Sequence, residues 1–389
     1  MDFVTAGESH GPALTAIVSG VPAGVHVDVE KINADLRRRQ SGYGRGGRQK
    51  IETDRVEILS GVRFSRTLGT PIALQVANDD YANWTGRMSP VGTPPADLKR
   101  ETHPRPGHAD LVGMLKMGTD DARDILERSS ARETAARVAA GGIAKALLAH
   151  FGVEVVSFVR RIGGVALPPE RAAQLVRGDA LVADEVEASS CRCPDAACTE
   201  AMERAIDDAH ERGVSLGGEF TVVARKLACG LGSFASGRAR LTSKIGAALF
   251  SIPAIKGVEF GMGFLSAAKP GDEVHDPIAY TAERGFFRTS NNAGGLEGGM
   301  TTGENLVVSA AMKPIPTMRS ALATVDTDTL EAVEASKERS DVCAVPAAAV
   351  VAESELAFVL ADAYLDKFGG DCVDDCLAAL DAYLERVAR

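Results

Sequence analysis

Apolar runs are short in this chain: the longest segment free of charged and strongly polar side chains is Val342–Ala352, 11 residues, against the roughly 20 that a membrane span requires. A transmembrane helix is therefore excluded. Cysteine is scarce and odd in number, 7 in all, which excludes a disulfide framework and reads as reduced thiols. Positive charge is not in excess: 43 Lys and Arg against 53 Asp and Glu leave a formal charge of -10. A surface given over to nucleic acid is excluded, and any basic site has to be local. There is no Pro/Ser-rich linker, no block of like charge and no internal repeat. One domain over residues 1–389 is expected, with Leu167–Asp195 its most tolerant segment. The first residues, Met1-Asp-Phe-Val-Thr-Ala-Gly-Glu8, lack a basic region followed by an apolar one, so no secretory signal is read and the expected compartment is the cytoplasm.

Hydrophobic residues at 45% and charged residues at 25% are ordinary for a globular protein. β-Branched runs predict strands near Leu14–Ser19, Val56–Val62, Pro71–Ala77, Val153–Val159, Phe220–Ala224 and Leu306–Ala310. Segments rich in Ala, Leu, Glu and Arg predict helices over Val29–Arg39, Ala131–Ala149, Thr199–Arg212, Leu241–Leu249 and Glu353–Lys367. Strands occur in close pairs as well as singly before helices, which points to an α+β class with helices packed on antiparallel sheets. Glycine is the abundant oddity, 40 residues gathered at 42–47, 257–263 and 294–303. About half are accounted for by turns that need a positive φ; the others offer backbone that approaches a ligand closely.

Four constellations carry chemistry. Gly7-Glu-Ser-His-Gly11 fits the nucleophile-elbow pattern of hydrolases, but an elbow follows a central strand and opens a helix, whereas here a strand follows. Ser9 and His10 are left as a polar pair on a glycine turn, suited to hydrogen bonding and proton transfer or to a purely structural role. Arg37, Arg38, Arg39, Arg45 and Arg48 fall within 12 residues around Gly42-Tyr-Gly-Arg-Gly-Gly47, an anion-binding composition. Its glycines lack the strand-to-helix setting of a dinucleotide turn, and Tyr43 is its only stacking ring for RNA. A small molecule with several anionic groups fits better. His103-Pro-Arg-Pro-Gly-His-Ala-Asp110 is stiffened by its prolines and aims Arg105 and two histidines. Proton transfer is preferred there over metal ligation by His103, His108 and Asp110. In Glu127-Arg-Ser-Ser-Ala-Arg-Glu-Thr134, Ser130 and Glu133 read as a capping box that opens a helix, and Arg128 and Arg132 flank a helix start of the kind that attracts phosphate. Cys191, Cys193 and Cys198 resemble a partial zinc knuckle without a suitably spaced fourth ligand, so no metal site is assigned.

With Ala293-Gly-Gly-Leu-Glu-Gly-Gly299 and Arg339-Ser-Asp341 added, these motifs resemble the chorismate synthase family in order and spacing from residue 7 to residue 346. The resemblance implies a phosphate lyase that converts 5-enolpyruvylshikimate 3-phosphate to chorismate by anti-1,4-elimination, with reduced FMN required but not consumed. It implies helices sandwiched between antiparallel sheets (a β-α-β sandwich) and a homotetramer. By motif position it makes His10, His108, Asp341, Ser9 and Ser130 catalytic. Arg39, Arg45, Arg48, Arg105 and Arg132 become binders of substrate anions, although the first two are sometimes assigned to NADPH in the family. The flavin positions are Arg128, Ser129, Ser130, Pro253, Ala254, Gly298, Lys313, Pro314, Ile315, Pro316, Thr317 and Arg339. Two departures stand out: Pro253, where Asn or Gln is common, and Val214, where an acid is expected.

The substrate's C6–H is too weakly acidic for an ordinary side-chain base, so transient electron donation from the reduced flavin, expelling phosphate first, is chemically sensible. His10 is then the candidate for protonating the departing phosphate, His108 for holding the anionic flavin and Asp341 for assisting at flavin N5, the two histidines being exchangeable in role. The rivals are an anion- or RNA-binding module built on the Arg-Gly loop, which needs no flavin, and an ordinary flavin oxidoreductase, which consumes reductant.

Overall fold

The computed structural model describes residues 1–46, 53–177, 183–338 and 341–388. Two antiparallel sheets carry the architecture. The first has the order β1-β2-β4-β3, with β1 at Asp2–Ala6, β2 at Ala13–Ser19, β3 at Val56–Ile58 and β4 at Ile72–Ala77. Alternation along β2 and β4 aims one face inward: Leu14, Ala16 and Val18 stand opposite Val76, Leu74 and Ile72, and all six are buried. The second sheet has the order β8-β9-β7-β5-β6, with β5 at Glu154–Ile162, β6 at Val165–Ala166, β7 at Gly218–Arg225, β8 at Ile255–Phe260 and β9 at Leu306–Met312. Every ladder in both sheets is antiparallel.

The helices that matter for the site are α1 (Val29–Gln40), α2 (Asp110–Met117), α3 (Arg123–Ser129), α4 (Thr134–His150), α5 (Ala196–Arg212), α6 (Leu241–Phe250) and α7 (Val345–Phe368). Helix α4 packs on β2 and β4, α7 packs on β5 and β7, and α4 and α7 pack on each other. Small residues permit that approach: a Cβ added at Gly141 of α4 would lie 2.3 Å from Cβ of Ser354 in α7. Inside this layer Glu353 is fully buried and accepts from Arg38 and Lys145, each at 2.8 Å, and from Ser157 at 2.6 Å. Burial pushes its carboxyl up, but the cations of Lys145 and Arg38 bring it well below the usual carboxylate range.

Most expected elements are present, and the departures have physical reasons. Helix α7 begins at Val345 rather than Glu353, because a helix buried on nearly all sides shows no polar face from which to read its period. Strand β1 was not expected: its residues are only partly buried, so it carries no apolar run. Strand β8 escaped notice because Gly257 interrupts it, where its register shifts against β9. The Val56–Val62 run divides into β3 and a separate hairpin formed by Val62–Arg63 and Arg66–Thr67. The capping box is incomplete. Ser130 does accept from the Arg132 N–H at 3.3 Å, but Glu133 turns away to Arg137 and Thr5, at 2.8 and 2.6 Å. Residues Ala131–Glu133 accordingly form a single 3-10 turn before α4. All seven cysteines are free thiols, and no helix among the described residues is long and apolar enough to cross a membrane.

Candidate active site

The loop between β1 and β2, the α3–α4 junction, the His103–Asp110 loop, the segments 252–254 and 312–317, and the start of α7 converge on one cavity of about 630 Å³. Gly7 opens the first loop at φ +114, and a Cβ there would meet the Ala13 carbonyl at 2.5 Å, so only glycine makes this turn.

The turn delivers Ser9 and His10 to the cavity wall. Ser9 donates from its hydroxyl to Ser130 Oγ at 3.1 Å and from its backbone N–H to the Glu127 carbonyl at 2.9 Å. His10 Nδ1 lies 2.8 Å from Glu127 Oε1, and its backbone N–H donates to Oε2 at 2.8 Å. Trp84 stacks on the imidazole with centroids 4.1 Å apart. Burial pushes the Glu127 carboxyl up, yet the hydrogen bonds and charge of His10, with Arg123, hold it below its ordinary value.

His108 also lines the cavity and is built in the same way. Its Nδ1 sits 2.5 Å from Asp110 Oδ1, the first residue of α2. Arg105 donates to the same carboxylate through Nε at 2.8 Å and to Thr317 Oγ1 at 2.9 Å. Burial raises the Asp110 carboxyl, but the His108 and Arg105 bonds outweigh it and bring it far below its usual range. His103 is not part of this arrangement: it pairs with Asp326 at 3.0 Å, away from the cavity lining.

Behind the histidines lies a buried cationic floor. Arg39 and Arg132 each bind Asp54 at 2.6 Å. Arg132 also donates to Asn78 Oδ1 at 2.8 Å and to the Ala77 carbonyl at 3.1 Å, and it lines the cavity beside Arg39. Burial, together with the nearby Arg132 and Arg45, brings Arg39 down to about 10 against the pull of Asp54. The buried Nε–H groups of Arg39 and Arg45 have no hydrogen-bond partner among the described residues, and an unsatisfied buried donor costs about 1–3 kcal/mol. Both residues line the cavity, where their positive charge favours an anion. The arginine run does not act as one unit: consecutive residues on α1 point roughly 100° apart, sending Arg37 to solvent and Arg38 to Glu353. Arg48 lies outside the described residues.

Asp341 reaches the cavity from the segment before α7. It accepts from Arg45 at 2.7 Å and from the Gly46 N–H at 2.6 Å, while Val342 N–H donates to the Gly44 carbonyl at 2.8 Å. The Arg-Gly loop and the segment before α7 are thus stitched together.

Of the positions assigned to the flavin by resemblance, Arg128, Ser129, Ser130, Pro253, Ala254, Lys313, Ile315, Pro316 and Thr317 line the cavity; Pro314 and Gly298 do not, and Arg339 lies outside the described residues. Arg128 is anchored on Thr5 through its carbonyl and hydroxyl at 2.9 and 2.7 Å, and Ser129 donates to the Ile125 carbonyl at 2.9 Å. Pro253 offers no side-chain amide. The next residue, Ala254, takes a left-handed φ of +70, and its carbonyl accepts from the Lys313 N–H at 2.9 Å. Burial and the neighbouring Lys256 lower Lys313. Val214 is not among the lining residues.

Sequence reasoning gave no role to Glu127 or Trp84. Glu127 stood inside a recognised motif, and Trp84 is the only tryptophan of the chain, so a signal existed for both. Arg123 joins them: it pairs with Glu127 at 3.3 Å and Glu338 at 2.9 Å, and lies over the Trp84 ring at 5.2 Å.

A family model described as chorismate synthase matches residues 1–365. The chain is 54% identical to the chorismate synthase of Symbiobacterium thermophilum, with 100% of both chains covered. It is 51% identical to that of Geobacter sulfurreducens, with 99% of this chain and 98% of the relative covered. A crystal structure of chorismate synthase superposes with a TM-score of 0.81 at 40% identity, over 100% of this chain and 98% of the other. Matches of this extent leave one conclusion: the chain belongs to the chorismate synthase family.

Proposed function

We propose that this chain is a phosphate lyase that converts 5-enolpyruvylshikimate 3-phosphate to chorismate by anti-1,4-elimination with reduced FMN. The observation that carries the reading is the pairing of two carboxylate-held histidines, His10 and His108, in one cavity that is also lined by Arg39, Arg45, Arg105 and Arg132. A substrate with one phosphate and two carboxylates matches that charge. The volume lies within the roughly 300–1,000 Å³ of small-molecule sites.

The residues also fit a reduced flavin. Ile252, Pro253, Ile315, Pro316 and Val351 give an apolar wall for a planar ring, Arg128 and Lys313 give cations for its anionic groups, and Ser129, whose hydroxyl is held on the Ile125 carbonyl, lines the same wall. When bound, reduced FMN supplies reversible electron donation, so no reductant is used up. Arg39, Arg45, Arg48, Arg105 and Arg132 bind the substrate's anions. His10 gives a proton to the departing phosphate from Nε2, and His108 holds the anionic reduced flavin. Asp341 would assist proton exchange at flavin N5, and Ser9 and Ser130 hold the turn that presents His10. Arg39 is assigned to substrate rather than to NADPH on its depth, at 4% exposed.

In this reading the single-domain chain adopts the family's β-α-β sandwich and works in the cytoplasm as a homotetramer. The exposed apolar side chains of Phe264, Ile278 and Phe286 support assembly, and light scattering in solution checks it. The function is tested by mixing protein, substrate and dithionite-reduced FMN without oxygen. Chorismate is expected, and none with oxidised FMN; equal yields in both would overturn the mechanism.

A further inference from the structure

Glu127 makes three hydrogen bonds to two consecutive residues. Its backbone carbonyl accepts from the Ser9 N–H, and its two carboxylate oxygens accept from the His10 N–H and from His10 Nδ1. The side chain is 2% exposed, so water does not compete for these bonds. Its carboxyl stays ionised at neutral pH, because the His10 bonds and Arg123 outweigh the burial that pushes it up. An ionised carboxylate only accepts, so Nδ1 must carry a hydrogen. Trp84 covers one face of the same ring, and Arg123, reaching both Trp84 and Glu127, keeps the two in place.

We infer that Glu127 is the positioning residue of His10: it holds the imidazole by Nδ1–H and so makes Nε2 the nitrogen that exchanges a proton in the cavity. This rests on the reading of His10 as the donor to the departing phosphate. The proton balance is simple. The imidazolium gives its Nε2 proton to the phosphate oxygen as the carbon–oxygen bond breaks, and the ring is left neutral with its hydrogen on Nδ1. Glu127 keeps its charge throughout and stabilises the imidazolium beforehand, the division of labour found wherever a carboxylate orients a catalytic histidine. Glutamine cannot replace it. Two donors, the backbone N–H and Nδ1–H, meet two acceptor oxygens, whereas an amide offers one acceptor and one donor.

The test uses the full chain with its imidazoles labelled with ¹⁵N, the His10 signals being assigned by their loss in His10→Ala. In the wild type above the titration of the ring, His10 is expected as the Nδ1–H form; finding it as the Nε2–H form overturns the inference without any variant. In Glu127→Gln the Nε2–H form should gain, and kcat should fall roughly 10²-fold or more while KM and FMN affinity stay within about twofold. An unchanged ring form and an unchanged kcat in Glu127→Gln, beside an impaired His10→Ala, would overturn the positioning role and leave the donor reading standing. Wild-type turnover by His10→Ala would instead overturn the donor reading, and the inference with it.

Discussion

Arg39 and Arg132 bind opposite oxygens of one carboxylate: Asp54 Oδ2 lies 2.6 Å from Arg39 and Oδ1 lies 2.6 Å from Arg132. Two buried cations on one buried anion leave a net positive charge beneath the cavity. The shared anion makes burial of the pair tolerable, and in the proposed function the remaining charge attracts the substrate's anions.

Asp54→Ala should therefore destabilise strongly. It leaves two guanidinium groups buried without their counter-charge, which costs about 3–5 kcal/mol. Urea unfolding measures the loss, and a change below about 1 kcal/mol would show that water or nearby acids replace Asp54 at no cost.

His10→Ala and His108→Ala should each lower kcat by roughly 10²–10⁴-fold, the range for losing a positioned acid or base. Each variant should also lower the melting temperature, because the ring is a partner of a buried carboxylate, Glu127 or Asp110; the loss of kcat is therefore read on protein shown to be folded at the assay temperature. Wild-type turnover in either variant would return that histidine to a structural role.

Stability should depend on acid in a defined direction. Burial works to raise Asp110 and Glu127, but their histidine and arginine partners bring both below their unfolded values. Stability from such groups is full above the unfolded carboxyl values, about 4, and is lost as pH falls through the lower folded ones. The urea midpoint of the wild type should drop between pH 5 and about pH 3. In Asp110→Asn the drop should be smaller, because one of the protons taken up on unfolding is gone. An equal drop would assign the acid sensitivity elsewhere.

Arg39→Ala and Arg45→Ala should weaken substrate binding far more than FMN binding, because the proposed function assigns these two guanidinium groups to the substrate's anions and other lining residues to the flavin. Calorimetric titration of each ligand separately decides it. Equal losses would mean that the floor supplies only a general field.

Much of the site was legible because its motifs are local. His103–Asp110 encodes the Arg105–Asp110–His108 cluster within six residues, and Gly7–Gly11 encodes the turn that presents His10. What the chain does not announce is which residues from distant segments meet. Asp54 was unremarkable in sequence and became the anchor of two arginines, one of them 78 positions away. Arg38 and Arg39 are neighbours in the chain, yet the helix turns one into the core and the other into the cavity. Asp341 was singled out beside an apolar run, but its bonds to Arg45 and Gly46 depend on a fold that brings the two loops together. Helix α7 was legible only from Glu353 onward, since burial on nearly all sides removes the period by which helices are recognised, while strands β1 and β8 were missed altogether.

The most direct test of the account is a stoichiometry. Substrate in large excess is mixed with the protein and dithionite-reduced FMN under anaerobic conditions, and phosphate release and flavin absorbance are followed in the same cell. The account predicts many phosphates and chorismates formed per flavin, with the flavin still reduced at the end. One flavin oxidised for each phosphate released would contradict it, and would make this cavity the site of an ordinary oxidoreductase.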